Sequence, residues 1–100
     1  MPEHPLSTMD KLDPEFMKLV REAEAFIYAD GALPARFKLL IAMAFDAAAG
    51  ASGGVRALAQ AAMKAGATKE EIAEALRVAY QLSGVGSLYC AAFGLKDLPD

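Results

Sequence analysis

Residues 65–72 read Ala-Gly-Ala-Thr-Lys-Glu-Glu-Ile, and this stretch contains the end of one helix, a turn and the start of the next helix. Gly66 is typical of a helix end, because glycine adopts the left-handed conformation without steric cost. Thr68 and Glu71 match a capping box, in which each side chain satisfies a backbone N–H of the other residue. The stretch therefore predicts two consecutive helices joined by a tight turn.

Helix signals continue on both sides of this turn. Asp13-Pro14-Glu15 supplies an N-cap, a proline at the first helical position and an early acid. Helical spacing and helix-ending glycines predict about five helices, which begin near Pro14, Pro34, Val55, Thr68 and Ser87 and end near Gly31, Gly50, Gly66, Gly84 and Phe93. The second is apolar on nearly every face, so we expect it at the centre of the bundle. Residues 1–12 form a Pro-containing polar lead, and residues 13–100 form one all-α domain.

The composition indicates an oligomer. Glycine and the apolar residues other than tyrosine make up 60% of the 100 residues, whereas soluble domains average about 45–50%. Subunit interfaces usually take up such an excess, so we expect a homo-oligomer. Net charge is −4 over residues 1–30, +3 over residues 31–67 and −2 over the remainder. The acidic and basic segments either pair between subunits or form solvated helix faces.

Several functional classes are excluded or disfavoured. The net charge of −3 disfavours a nucleic-acid partner. One cysteine excludes an internal disulfide and a cysteine-based zinc site, and His4, the single histidine, excludes a histidine-cluster metal site within one chain. We expect no cofactor. The most apolar run, residues 37–49, is too short to span a membrane, and no signal peptide is visible, so we expect a cytoplasmic protein.

Two segments carry a resemblance to a known family. Residues 33–42, Leu-Pro-Ala-Arg-Phe-Lys-Leu-Leu-Ile-Ala, and residues 64–75, Lys-Ala-Gly-Ala-Thr-Lys-Glu-Glu-Ile-Ala-Glu-Ala, resemble the carboxymuconolactone decarboxylase superfamily. This superfamily includes the AhpD-type alkylhydroperoxidases. Gly84 and Gly86 are similar to the small-residue break in the family's last long helix. The resemblance implies a small all-helical protomer that assembles into homotrimers or homohexamers.

The residues that carry the family's chemistry are replaced. AhpD-type members share a Glu, a Cys-x-x-Cys and a His, because a thiolate attacks the peroxide, a second thiol resolves it and Glu and His relay the proton. Aligned through the resemblance, these positions hold Leu39, Ala51, Gly54 and Leu58. True carboxymuconolactone decarboxylases keep the histidine at the position of Leu58. The resemblance therefore implies a divergent member to which neither chemistry transfers residue by residue.

Cys90 is the first remaining catalytic candidate. Functionally, it would be a lone peroxidatic thiol, oxidised to a sulfenic acid and resolved by an external thiol or by Cys90 of the partner subunit. Structurally, it would be a small buried apolar residue among alanines. No Lys, Arg or His lies within four residues of it in the sequence to favour a thiolate.

Asp46 is the second candidate. It follows Leu39 by seven residues, which is two helical turns, so both side chains project from one face of the helix. Asp46 is then either a displaced carboxylate at the rim of the family's pocket or the partner of Arg36 or Arg56 across an interface.

Two functions remain open. The first is a helical oligomer without redox chemistry, whose family pocket either binds a small apolar or aromatic ligand or is filled by neighbouring side chains. The second is a peroxiredoxin-like antioxidant enzyme of the alkylhydroperoxidase type that acts through Cys90. The loss of the Glu, both cysteines and the His favours the first.

Overall fold

The computed structural model describes residues 6–98, which fold into helices joined by short turns. The helices are α1 (Ser7–Leu12), α2 (Pro14–Tyr28), α3 (Ala35–Ala49), α4 (Ser52–Lys64), α5 (Lys69–Ser83) and α6 (Gly86–Gly94). The all-α prediction is confirmed. There are six helices in this part of the chain rather than about five, because Ser7–Leu12 of the polar lead also forms a short helix. His4 lies outside the described residues.

The predicted caps at Asp13, Gly50 and Thr68 are present, whereas α2 ends at Tyr28, before the predicted Gly31. Asp13 Oδ1 accepts a hydrogen bond from Phe16 N at 3.1 Å, which confirms the N-cap of α2. Thr68 Oγ1 accepts from Glu71 N at 3.1 Å, and Glu71 Oε1 accepts from Thr68 N at 2.8 Å, so the capping box is complete. Gly50 ends α3 in the left-handed region with φ of 82°. These local contacts fix the bounds of the central helices.

The core surrounds α3, as the apolar sequence of this helix predicts. Met43 on α3 and Val55 on α4 are fully buried, and α3 packs against α4, α5 and α6. Much of the remaining core is alanine, contributed by Ala47, Ala59, Ala62, Ala67, Ala79 and Ala91. Small side chains let helix backbones approach closely, so the helices around this core pack close together.

The first two helices form an arm (residues 7–28) beside α3. Met17 is the one buried residue of the arm. Lys38 on α3 donates to Ile27 O at 2.8 Å and to Ala29 O at 2.7 Å, which satisfies carbonyls at the end of α2. Arg21 pairs with Asp10 at 2.6 Å and ties α2 to α1. The arm is thus anchored at its end rather than packed into the core.

The apolar face of α2 is exposed in this structure. Phe16, Leu19 and Ile27, which recur at helical spacing, each expose about half or more of their surface. Helical spacing identifies an apolar face, but it does not identify what covers that face. Among residues 6–98, every helix is too short or too polar to cross a bilayer.

Candidate functional site

The two leucines that the resemblance assigns to the family's Glu and His positions belong to the packed interior. Leu39 on α3 and Leu58 on α4 are partly buried and pack against the core cluster. Their side chains offer neither an acid nor a base. Ala51, which the resemblance assigns to the first cysteine position, is exposed and precedes the first residue of α4.

Gly54, which the resemblance assigns to the second cysteine position, lies directly beneath a carboxylate. It belongs to the first turn of α4, which begins at Ser52, three residues before Val55. A β-carbon built on Gly54 would stand 2.8 Å from Cγ of Asp46 and closer still to one carboxylate oxygen. The Asp46 carboxylate therefore occupies the volume that any side chain at position 54 would need.

The structure brings Cys90 and Asp46 together, but through the backbone of Asp46. The Cys90 thiol donates to Asp46 O with an S···O distance of 3.8 Å. The same carbonyl accepts from Ala51 N at 2.9 Å and lies in the last turn of α3. A backbone carbonyl accepts a hydrogen bond but does not take up a proton. The contact therefore gives the half-buried thiol a partner at the end of α3 without supplying a catalytic base.

The two arginines that the sequence offers as partners of Asp46 are engaged elsewhere in the chain. Arg56 Nε donates to Gly94 O at 3.2 Å, and its guanidinium lies 3.8 Å from the Asp97 carboxylate. The guanidinium of Arg36 stacks on the Phe37 ring, 4.6 Å from its centroid. Pairing of Asp46 with either arginine across an interface stays a prediction. Residues 6–98 contain no cluster of three or more His, Cys, Asp or Glu placed to hold a metal.

An apolar groove between α3 and α5 (the groove) is the feature that the sequence reasoning missed. It has a volume of about 480 Å³ and is lined by residues 37–48 of α3 and 75–83 of α5. None of the four replaced family positions lines it. The signal in the sequence was the recurrence of alanine at four-residue spacing, Ala44 and Ala48 on α3 and Ala75 and Ala79 on α5. On its own, that spacing is equally typical of a helix packed inside a core.

Comparisons with known proteins agree with the fold. The model of the Carboxymuconolactone decarboxylase family matches residues 14–96. Among solved structures, the chain is similar to apo-lpg0406, a carboxymuconolactone decarboxylase family protein from Legionella pneumophila, with a TM-score of 0.83 and 35% sequence identity. The match covers 91% of this chain and 81% of that one. No curated protein matches the chain.

Proposed function

Because the chain belongs to the carboxymuconolactone decarboxylase family, we propose that it is a family member without dithiol peroxidase chemistry, which functions as a self-assembling helical subunit. The observation that carries this proposal is the position of the Asp46 carboxylate over Gly54, in the space of the second family cysteine. A cytoplasmic location goes with the proposal and is likewise a prediction.

The dithiol reaction needs four groups that this chain lacks at the family positions. A thiolate must attack the peroxide to give a sulfenic acid and an alcohol, a second thiol must attack the sulfenic acid to form the disulfide and release water, and an acid and a base must move the protons. Leu39 and Leu58 replace the acid and the base, and both pack against the core. Ala51 and Gly54 replace the thiols. No rotation of existing side chains restores these groups.

The contacts at these positions support a family pocket that is filled by neighbouring side chains. The two leucines occupy their positions with apolar side chains, and the Asp46 carboxylate covers Gly54. Of the alternatives that the sequence left open for this pocket, the contacts favour filling by neighbouring side chains over a ligand-sized hollow. This packing supports a structural role for the residues that replace the family's catalytic set.

Self-assembly is supported by the apolar surface that the chain leaves uncovered. Large hydrophobic side chains are exposed on α1, α2, α3, α5 and α6; the most exposed are Leu12, Phe26, Phe45, Leu82 and Tyr89. Contiguous apolar patches beyond a few hundred Å² are rare on monomers and mark interaction sites. We propose a homotrimer or a homohexamer as the working form.

A second candidate function is a one-cysteine peroxidase, which is supported by the partial exposure of Cys90. Its thiolate would attack the terminal oxygen of a hydroperoxide, so that the O–O bond breaks and yields a sulfenic acid and an alcohol once the alkoxide takes a proton. Two molecules of an external thiol would then return the cysteine to the thiol, with release of water and a disulfide. The hydrogen bond of Cys90 to Asp46 O supplies neither a base nor a cation for the first step.

Hydroperoxide consumption distinguishes these two functions. The assay uses dithiothreitol or dihydrolipoamide as reductant and compares the wild type with Cys90→Ser. We expect no turnover above the protein-free reaction in either protein. Turnover in the wild type that disappears in Cys90→Ser would establish the one-cysteine peroxidase instead. Turnover that persists in Cys90→Ser would contradict both candidates.

A small apolar or aromatic ligand is the other binding role left open; the resemblance placed that ligand in the family pocket, and the groove is an alternative site for it. The groove volume of about 480 Å³ falls within the roughly 300–1,000 Å³ of small-molecule sites. Saturable binding of an aromatic probe such as 8-anilinonaphthalene-1-sulfonate to the assembled protein would favour this role. We expect no saturable binding, because the proposed assembly would cover apolar surface of this kind.

A further inference from the structure

We draw no further inference here: the strongest candidate, the apolar groove between α3 and α5 that Phe45, Val78 and Leu82 border, carries none, because nothing in the structure shows what covers it.

Discussion

Gly54→Ala should destabilise the protein only while Asp46 is present. Alanine normally stabilises a helix relative to glycine by about 0.5–1 kcal/mol. At Gly54, however, the new methyl carbon would stand 2.8 Å from Asp46 Cγ, well inside the roughly 3.5–4.0 Å of a favourable carbon–carbon contact. The carboxylate must rotate away, and overpacking of this kind costs about 1–3 kcal/mol. We expect Gly54→Ala to lower the free energy of unfolding by up to about 2 kcal/mol.

A double-mutant cycle isolates this contact. In the Asp46→Ala background, the clash is gone and Gly54→Ala should raise the free energy of unfolding by about 0.5–1 kcal/mol. Gly53→Ala is the matched control, because a β-carbon built on this neighbouring helical glycine meets nothing within 4 Å. It should stabilise both backgrounds by the same amount. Urea denaturation at one fixed protein concentration measures all of these values.

The sign of the effect decides the outcome. If Gly54→Ala stabilises the wild type as much as Gly53→Ala does, the Asp46 carboxylate does not occupy the space above Gly54. The main observation behind the proposed loss of dithiol chemistry would then be removed. A coupling free energy between positions 46 and 54 below about 0.5 kcal/mol, the usual limit of additivity, would lead to the same conclusion.

Three further substitutions test the core, a cap and a close helix contact. Met43→Ala removes a fully buried side chain at the centre of α3 and should cost about 2–5 kcal/mol in urea denaturation. Thr68→Ala removes one half of the capping box and should cost about 1 kcal/mol, whereas an unchanged urea midpoint would contradict its role. Gly94→Ala should destabilise by about 1–3 kcal/mol, because its β-carbon would stand 2.6 Å from Ser52 O. Gly86→Ala, whose β-carbon meets nothing within 4 Å, should show no such loss in thermal unfolding.

The fold was accessible from the sequence because its signals are local. The N-cap at Asp13, the capping box at Thr68 and the glycine at the end of α3 each act over at most four residues. Contacts at that range depend on residue type and spacing alone. Family membership was accessible for the same reason, since the turn at residues 65–72 carries much of the resemblance. The short helix α1 was not predicted, because its six residues offer no side-chain cap.

The sequence did not predict the exposed face of the arm or the groove between α3 and α5. Spacing marks Phe16 and Leu19 as one face of α2, but the same spacing describes a face buried in a core and a face open to a partner. The groove combines residues of α3 and α5 that are separated by some 30 positions along the chain. Which alanines line a groove and which are buried depends on how the helices cross.

By itself, the sequence determined that this protein is an all-α member of its family. The resemblance predicts that Leu39, Ala51, Gly54 and Leu58 stand at the four catalytic positions. Only the tertiary structure decided that the Asp46 carboxylate covers Gly54 and that Cys90, 44 residues further along, donates to Asp46 O. The physical reason is that residue identity is written in the chain, whereas contacts between α3, α4 and α6 depend on helix packing angles and distances that the side chains set collectively.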